Sequence, residues 1–310
     1  MLLTGGAGFV GSALARALLA RGASVIVVDN LSTGRRENIP AGAEFLQLDL
    51  ASPDFARQLP SERFDAVCHL AAQSSGEVSG EDPLYDVQAN AISTLLLSRW
   101  CAGNGTPRLL YASSMAIYGN PVQLPVEETH PCVPMSFYGI SKWTSENYLR
   151  LAARDGLSST SLRMFSVYGP GQNMQNLKQG MASIFMAYMA QGKEVPVTGS
   201  LERFRDFVYI DDVIDAWLRA LALPSTPSAS YNVGRGQPVT VRALLDELLR
   251  ALQLPAQYPV RERPGMPSDQ FGLYANIQRI EKDLGWKPRT DLSTGLKLMA
   301  EWIRSGERRS

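Results

Sequence analysis

The feature that most constrains the fold is a glycine-rich turn close to the start of the chain. Three apolar residues are followed by Thr-Gly-Gly-Ala-Gly-Phe-Val-Gly at positions 4–11, and then by residues 12–21, whose apolar members recur at helical spacing. This order predicts a strand, a tight turn and a helix. Glycines at 5, 8 and 11 let the backbone approach a pyrophosphate, and the first N–H groups of the helix attract an anion.

An acidic residue follows at the distance that this kind of turn requires. Residues 24–29 predict a second buried strand that ends in Asp29, roughly 20 residues after the glycines, where a carboxylate holds a ribose hydroxyl. A carboxylate would repel a 2′-phosphate, so Asp29 predicts NAD rather than NADP as cofactor. An ordinary βα turn with a solvated aspartate is the alternative interpretation.

A second motif, Tyr-Gly-Ile-Ser-Lys at 138–142, predicts proton transfer. Residues 138–151 have the pattern of a helix, so Tyr138 and Lys142 lie on one face, one turn apart. An adjacent ammonium favours the phenolate and is expected to lower the pKa of Tyr138. Tyr138 would then exchange a proton with a substrate hydroxyl while a nicotinamide exchanges the hydride. An ordinary amphipathic helix face would show the same spacing.

Two serines, Ser113 and Ser114, stand where the predicted strand 108–113 ends. Open α/β sheets bind ligands at the carboxyl ends of their strands. A serine hydroxyl there could hydrogen-bond the same substrate oxygen as Tyr138. Capping of a helix or turn is the alternative role.

The pattern along the chain predicts an α/β fold, a Rossmann-type doubly wound parallel sheet with a smaller C-terminal substrate-binding lobe. We predict an NAD-binding domain over residues 1–165 and the lobe over 166–310, with the two interleaved and the boundary approximate. Further strands are predicted at 44–49, 65–70 and 160–165, and helices of the lobe at 176–191, 211–222, 240–252 and 292–303. The first strand is short, which leaves open a longer natural N-terminus.

Composition argues against several classes of protein. The 30 basic and 30 acidic residues are scattered and cancel, so we expect no nucleic acid partner. Three cysteines without CxxC spacing and two histidines without ligand-like neighbours predict neither a disulfide framework nor a metal site. No apolar run of about 18 residues and no leader pattern is found, so we expect no membrane partner and a cytoplasmic location.

With these motifs in view, the chain resembles the extended short-chain dehydrogenase/reductase family, in particular its NAD-dependent nucleotide-sugar epimerases and dehydratases. The resemblance extends from Leu3 to Trp302. It rests on TGGAGFVG at 4–11, VVDNLSTG at 27–34, LDL at 48–50, HLAAQ at 69–73, ASSMAIYG at 112–119, YGISK at 138–142, RDFVYIDDV at 205–213, YNVG at 231–234 and LGWKP at 284–288.

The resemblance implies a cofactor site and a catalytic triad. Asp29, Asn30 and Ser32 would hold the adenosine ribose, Asp49 and Leu50 would flank the adenine, and the stretch from Leu70 through Ala71 and Ala72 to Gln73 would line the middle of the cofactor. Gly5, Gly8, Phe9, Val10, Gly11 and Gly34 complete the implied NAD contacts, together with Tyr138 and Lys142. Motif position makes Ser114, rather than Ser113, the serine of a Ser114, Tyr138, Lys142 triad.

One short stretch narrows the reaction that the resemblance implies. Related sugar 4,6-dehydratases carry Thr-Asp-Glu, and decarboxylases carry Thr-Ser-Glu, where this chain has Ser114-Met115-Ala116. Without those acids, the predicted reaction is oxidation of a UDP-sugar at C4, rotation of the keto sugar and re-reduction, which is 4-epimerisation with NAD regenerated. A nucleotide-4-keto-sugar reductase, usually using NADPH, and a non-catalytic cofactor-sensing protein are the alternatives.

The second half contributes three implied substrate contacts. Arg205 and Arg263 match positions that grip the diphosphate in related epimerases, although surface ion pairs are an alternative, above all for Arg263. Ser166 stands where many relatives have an asparagine that touches the substrate. A small Ser166, with Leu273 or a nearby residue on the far wall, would leave room for a 2-acetamido group, which favours UDP-N-acetylglucosamine as well as UDP-glucose as substrate.

Two helices also suggest an assembly. The predicted helices at 82–101 and 138–153 carry apolar faces, and the equivalent pair in related enzymes forms the four-helix bundle of a homodimer. An enclosed core would produce the same pattern.

Overall fold

The computed structural model describes residues 1–178, 180–223, 229–265 and 270–306. Its strands are β1 (Leu2–Thr4), β2 (Ile26–Asp29), β3 (Glu44–Gln47), β4 (Val67–His69), β5 (Arg108–Ser114), β6 (Ser158–Met164), β7 (Ser166–Tyr168), β8 (Val195–Thr198), β9 (Phe204–Arg205), β10 (Phe207–Tyr209), β11 (Ala229–Val233), β12 (Val239–Thr240) and β13 (Val260–Arg263).

The helices are α1 (Phe9–Leu19), α2 (Gly76–Glu81), α3 (Pro83–Val87), α4 (Ser93–Gly103), α5 (Phe137–Ala152), α6 (Met181–Ala190), α7 (Ile210–Ala222), α8 (Val241–Leu252), α9 (Gln278–Leu284) and α10 (Leu292–Ser305). A π-helical turn, Gln88–Ile92, joins α3 to α4, so the predicted continuous helix over 82–101 is divided. The predicted helix at 176–191 begins only at Met181, because Gly180 before it has a φ of 87°.

A seven-stranded sheet in the order β11-β6-β5-β4-β1-β2-β3 forms the main layer. The pairs from β3 through β5 are parallel, and Leu3 of β1 lies opposite Val27 on one side and Cys68 on the other. The strand order reverses between β1 and β4, so their carboxyl ends are the switch point at which such sheets bind ligands. This is the predicted doubly wound α/β fold.

The core beneath the switch point is apolar and closely packed. Leu2, Val67 and Leu109 of the central strands are fully buried, and Phe55 and Leu97 pack in the same cluster. Continuous burial along β1 fits a strand covered on both faces. Because the central strands are held in this core, the residues at their carboxyl ends have fixed positions.

The chain divides into two compact units. Unit 1 holds Met1–Ile117, Ser136–Arg163 and Ile214–Tyr231; unit 2 holds Tyr118–Met135, Met164–Val213 and the chain from Asn232 onward. The predicted division at 165/166 therefore differs from the observed one, in which 118–135 joins unit 2 and 214–231 joins unit 1. The return to unit 1 has a physical reason, since β11 extends the sheet beside β6.

Unit 2 contains three small sheets that carry the predicted substrate residues. β7 pairs with β10, β9 with β12, and β8 with β13, which places Ser166, Arg205 and Arg263 on separate two-stranded sheets. The fully buried Asp206 carboxylate accepts hydrogen bonds from the backbone N–H groups of Arg235, Gly236 and Ala275 at 2.6 to 3.0 Å. These bonds hold three segments of unit 2 together.

Candidate active site

The glycine turn after β1 has the close backbone approach that its sequence predicts. Gly5 has a φ of 73°, and a Cβ there would lie 2.5 Å from the backbone nitrogen of Ala71. A Cβ on Gly11 would overlap the carbonyl oxygen of Gly5, so α1 can pack this closely on the turn only without a side chain. Both positions require glycine for steric reasons.

The start of α1 offers backbone N–H groups, rather than side chains, to a ligand. Its N-cap is Gly8, which has no side chain to cap the helix, and the first turn from Phe9 and Val10 onward holds no acidic residue. The first N–H groups of a helix lack intrahelical partners and carry the positive end of the dipole. The turn and α1 therefore fit a pyrophosphate, as the sequence predicts.

Asp29 ties the end of β2 to this turn. Its buried carboxylate accepts a hydrogen bond from the Ala7 N–H at 3.0 Å through Oδ2 and from the Leu31 N–H at 2.8 Å through Oδ1. Gly34 also lies against Ala7, where a Cβ would come within 2.9 Å. The carboxylate predicted to hold a ribose is thus fixed beside the predicted phosphate site.

The other residues predicted to surround the adenosine lie beside Asp29. Asn30 donates from Nδ2 to Oδ1 of Asp49 at 3.1 Å and accepts from the Ser32 N–H at 3.0 Å. Asp49 and Ser32 are exposed, whereas Leu50 is buried. The structure therefore brings these residues together, and their contact with NAD stays a prediction.

The loop after β4 is anchored to the end of β1. The N–H groups of Leu70 and Ala71 donate to the carbonyl and the hydroxyl oxygen of Thr4 at 3.0 and 3.3 Å. Leu70, Ala71 and Ala72 are half-buried, whereas the Gln73 amide turns inward to Ser75 and Asp86. The side chain of Gln73 is thus hydrogen-bonded within the protein, which leaves its backbone for the predicted contact with the cofactor.

His69, the last residue of β4, hydrogen-bonds the end of β1 and α4. Its Nδ1 lies 2.7 Å from the Thr4 hydroxyl and its Nε2 lies 3.1 Å from the Thr94 hydroxyl. Burial lowers the pKa of His69 to about 3, so the ring is neutral. It acts as a hydrogen-bonding bridge between β1, β4 and α4.

The predicted triad is assembled by β5 and α5. Ser114 is the last residue of β5, and Tyr138 and Lys142 occupy the first turns of α5, whose N-cap Ser136 accepts from the Gly139 N–H at 3.1 Å. The Ser114 hydroxyl lies near enough to the Tyr138 phenol to lower its pKa. Nζ of Lys142 lies 5.8 Å from the centre of the Tyr138 ring. The structure therefore brings all three side chains to one place.

Ser113 and Ser114 point in different directions, as neighbours on a strand must. The Ser113 hydroxyl donates to Glu146, a carboxylate buried in a 2.7 Å ion pair with Arg163. Ser114 instead accepts from the Ala116 N–H at 3.2 Å and faces Tyr138. This geometry favours Ser114 as the serine of the site.

Burial dominates the electrostatics of the pair on α5. It raises the pKa of Tyr138 to about 12, with the Ser114 hydroxyl lowering it in part and the charge of Asp86 raising it. It also lowers the pKa of Lys142 to about 7, against the raising effect of Asp86 and Glu146. The pKa of Tyr138 is therefore raised in the chain alone, not lowered as expected, because desolvation outweighs the one neighbour that lowers it, Ser114.

Lys142 is held in a fixed position despite this cost. Its Nζ donates to the Ala112 carbonyl at 2.9 Å and lies 4.8 Å from the centre of the Tyr111 ring. Burial also raises the pKa of Tyr111, so its phenol stays protonated. Contacts with two residues of β5 therefore fix the position of the Lys142 ammonium.

Sequence reasoning missed a buried polar cluster beside the triad. Asp86 and Asn90 are fully buried, and Nδ2 of Asn90 donates to Asp86 and to the Gln73 carbonyl at 3.0 Å each. In the described part of the chain, Oδ1 of Asn90 has no hydrogen-bond partner. A donor group on a bound cofactor would fit this orphaned oxygen. The π-helical turn that carries Asn90 has no sequence signature.

The predicted substrate residues of unit 2 have different environments. Ser166 is half-buried and donates its N–H to the Asp206 carbonyl at 2.9 Å. The Arg205 guanidinium donates to the carbonyls of Phe204 and Gln270 at 2.8 and 2.9 Å. Arg263 is exposed at the end of β13. Their contacts with a substrate stay predictions.

Leu273, the residue predicted on the far wall of the sugar site, has no exposed surface. It therefore packs in the interior of unit 2. The neighbouring residues 266–269, which belong to the same predicted loop, lie outside the described residues.

The three cysteines are free, and burial raises the pKa of Cys68 and of Cys101 to about 12. Among the described residues, no cluster of three or more histidine, cysteine, aspartate or glutamate side chains could hold a metal ion. Among the same residues, every helix is too short or too polar to cross a bilayer.

Comparison with known proteins agrees with this site. Residues 1–234 match the model of the NAD dependent epimerase/dehydratase family. The chain is 34% identical, over 99% of both sequences, to a putative UDP-glucose 4-epimerase of Methanocaldococcus jannaschii. It is similar to the crystal structure of a UDP-glucose 4-epimerase from Thermotoga maritima with UDP-glucose, with a TM-score of 0.93 and 36% identity over 98% of each chain.

A third relative binds a different sugar nucleotide. A UDP-N-acetylglucosamine 4-epimerase from Methanobrevibacter ruminantium, solved with UDP-N-acetylmuramic acid, has a TM-score of 0.90 and 28% identity, over 99% of this chain and 98% of that one. The chain therefore belongs to the NAD dependent epimerase/dehydratase family. The predicted fold, the NAD cofactor and the enzyme class, an NAD-dependent epimerase and hence an isomerase, are confirmed.

Proposed function

We propose that this chain interconverts UDP-sugars that differ in configuration at C4, with UDP-glucose and UDP-galactose as its first substrate pair. The observation that carries the proposal is the meeting of Ser114, Tyr138 and Lys142 beside the glycine turn, with Met115 and Ala116 in place of the acids that elimination or decarboxylation needs. Such a site moves one proton and one hydride reversibly. Relatives named UDP-glucose 4-epimerases support the choice of sugar.

Three side chains of unit 1 handle the proton. Tyr138, as phenolate, takes the proton of the C4 hydroxyl while the hydrogen on C4 leaves with its electron pair, and it returns the proton when the ketone is reduced. The Ser114 hydroxyl, which lies near the Tyr138 phenol, hydrogen-bonds the same sugar oxygen. The Lys142 ammonium stabilises the phenolate and is kept in place by the Ala112 carbonyl.

When bound, NAD would supply the hydride acceptor. The turn at Gly5, Gly8 and Gly11, the Asp29 carboxylate and the orphaned Asn90 amide oxygen would hold the cofactor. Inversion at C4 requires the keto sugar to rotate within the site before the hydride returns. No acid beyond the triad enters this cycle.

Unit 2 supplies the groups that we assign to the sugar nucleotide. Arg205 and Arg263 bind the diphosphate, since guanidinium forks match phosphate oxygens in pairs. Ser166 faces the sugar in this assignment, and its small size keeps UDP-N-acetylglucosamine in the substrate range. The relative named a UDP-N-acetylglucosamine 4-epimerase supports that range. The predicted cytoplasmic location stays a prediction.

We also assign the chain to a homodimer formed through α3, α4 and α5. α5 packs against α3 and α4, and large apolar side chains are exposed on α3 (Leu84, 77% exposed, and Val87), on α5 (Phe137 and Ile140, 49% exposed) and on the π-helical turn (Ile92). Exposed apolar side chains gathered on neighbouring elements are typical of protein contact sites. A second copy of the chain is the occupant that an isologous four-helix contact requires.

The test is incubation of the purified protein with UDP-glucose or UDP-N-acetylglucosamine, without added cofactor. We expect the C4 epimer of UDP-glucose to form, and that of UDP-N-acetylglucosamine at a measurable rate, with no build-up of NADH. Net NADH formation would indicate a dehydrogenase, and dependence on added NADPH would indicate a reductase. Loss of water from the sugar, or no turnover of either substrate, would contradict the proposal.

A further inference from the structure

The carboxylate of Asp86 is a buried charge that the reaction described above does not use. It lies on α3 with no exposed surface. Its Oδ1 accepts from Nε2 of Gln73 and Nδ2 of Asn90, both at 3.0 Å, and its Oδ2 accepts from the Ser141 hydroxyl at 2.6 Å. Every one of these donors is neutral, and a buried carboxylate is costly without a nearby opposite charge.

The donors connect Asp86 to both sides of the active site. Gln73 ends the loop after β4 that is predicted to follow the cofactor, and Asn90 carries the orphaned amide oxygen. Ser141 is the neighbour of Lys142 on α5. One carboxylate therefore links the cofactor loop, the π-helical turn and the helix of the proton relay.

Lys142, which follows the Asp86-bonded Ser141 on α5, is the cation whose charge acts on this carboxylate. Burial raises the pKa of Asp86, and the charge of Lys142 lowers it. In return, Asp86 is the first of two carboxylates that raise the pKa of Lys142 against burial. Asp86 also raises the pKa of Tyr138. The three groups are coupled through a region of low polarity.

The other titratable groups around Lys142 are already neutral or paired. Glu146, one turn along α5, forms its 2.7 Å ion pair with Arg163 and accepts from Ser113. Tyr111 and His69 are held uncharged by burial. Among the described residues, Asp86 forms no ion pair of its own. Of the two carboxylates that raise the pKa of Lys142, Asp86 is therefore the one whose charge is not already balanced by an arginine.

We propose that Asp86 is a positioning residue for the proton relay: it supplies the counter-charge that the buried Lys142 ammonium requires and ties the catalytic helix to the cofactor loop. The effect of Asp86 on the reaction rate rests on the proposed function. Its electrostatic effect on Lys142 rests on the buried carboxylate and its three hydrogen bonds. With both in place, Lys142 keeps more of its charge near neutral pH and Tyr138 stays aligned.

The test of the charge is Asp86→Asn in the NAD-bound enzyme. Asparagine fits the site, since its Oδ1 can accept from Gln73 and Asn90 and its Nδ2 can donate to Ser141. Removing the charge is expected to move the pH profile of kcat to lower pH by about one unit, with KM for UDP-glucose nearly unchanged. The phenolate absorbance of Tyr138, identified by its loss in Tyr138→Phe, should titrate at lower pH by a similar amount.

Two controls separate charge from structure. Asp82→Asn alters an exposed carboxylate that caps the same helix through the Tyr85 N–H at 3.0 Å, and it should leave both titrations unchanged. Ser141→Ala keeps the charge but removes the tether, so kcat should fall several-fold with the pH midpoint unchanged. This variant tests the tether even if Asp86→Asn does not fold.

A folded Asp86→Asn enzyme with the wild-type pH profile and phenolate titration would overturn the charge role. A Ser141→Ala enzyme with wild-type kcat would overturn the tether. A wild-type enzyme without epimerase activity would contradict the proposed function instead, and the phenolate titration would still decide the role of the Asp86 charge.

Discussion

At the scale of single residues, the two groups at the centre of the site owe their properties to burial. Tyr138 has a pKa raised to about 12 and Lys142 a pKa lowered to about 7, both chiefly by desolvation. Each is thereby driven toward its neutral form. The charged forms that catalysis needs must be stabilised by neighbours: Ser114 favours the phenolate of Tyr138, and Asp86 favours the ammonium of Lys142.

Removal of the phenol tests the base directly. Tyr138→Phe is expected to lower kcat by about 10²–10⁴-fold, because the variant loses the phenol assigned to take the hydroxyl proton. NAD should remain bound, since the glycine turn and Asp29 are untouched. Epimerase rates and the NAD content of the purified variant are the measurements.

The matched control is Tyr148→Phe, on the same helix and half-buried. It should keep rates near those of the wild type. A Tyr138→Phe enzyme within a few-fold of the wild-type rate would rule out Tyr138 as the base.

The lowered pKa of Lys142 also predicts a pH dependence of stability. The unfolded chain keeps this proton up to the ordinary value of 10.5, whereas the folded chain releases it near 7. The unfolded state binds more protons between these values, so the free energy of unfolding rises with pH across that window, by up to about 1.4 kcal/mol per pH unit.

Urea unfolding of cofactor-free protein at pH 7, 8 and 9 measures this slope. Lys142→Met removes the titrating group, so its slope should be smaller than that of the wild type. Equal slopes in the two proteins would show that Lys142 is not desolvated as described.

At the scale of elements, the strand, turn and helix at the N-terminus are specified almost completely by the sequence. Gly5 and Gly11 predicted the close backbone approaches that the structure has, because sterics alone decide them. The cluster of Asp86, Asn90 and Ser141 could not be predicted. These residues look like ordinary polar positions of helices, and the π-helical turn that turns Asn90 inward depends on tertiary packing.

Gly11→Ala tests the glycine turn. The new methyl group would overlap the Gly5 carbonyl oxygen, so the turn must shift. We expect at least a tenfold loss of NAD affinity and a loss of about 1–3 kcal/mol in the free energy of unfolding. NAD titration by calorimetry and denaturant unfolding measure the two effects.

Gly80→Ala is the control, since a Cβ on that helical glycine meets nothing within 4 Å. It should keep NAD affinity and raise stability slightly. Wild-type NAD affinity in Gly11→Ala would contradict the account of the turn.

At the scale of the whole molecule, the alternation of strands and helices predicted the doubly wound sheet, in which crossover connections of one hand place helices on both faces because the strand order reverses at β1. The division into units was predicted less well. The stretch 118–135 is rich in proline, which predicts a loop but not the unit that the loop joins; its place depends on Val126 hydrogen-bonding to Tyr274 and Asn276. The place of 214–231 depends on β11 pairing far along the chain beside β6. Long-range strand pairing of this kind leaves no local signal.

The proposed dimer predicts that charge on the exposed helix face separates the subunits. The double variant Leu84→Arg, Ile140→Arg should convert a dimer to a monomer in light scattering after gel filtration, because two charges would be buried in each half of the contact. Leu298→Arg, on α10 and similarly exposed, should remain dimeric. A monomeric wild-type protein, or a double variant that stays dimeric, would contradict the assignment.

The most direct test of the central claim follows one hydrogen atom. UDP-glucose labelled with deuterium at C4 is incubated with the enzyme without added cofactor, and the product is examined by NMR spectroscopy and mass spectrometry. A triad with no further acid returns the same hydride to the same carbon, so we predict UDP-galactose with deuterium retained at C4. Deuterium found at C6, in free NADH or in the solvent would contradict epimerisation by oxidation and re-reduction.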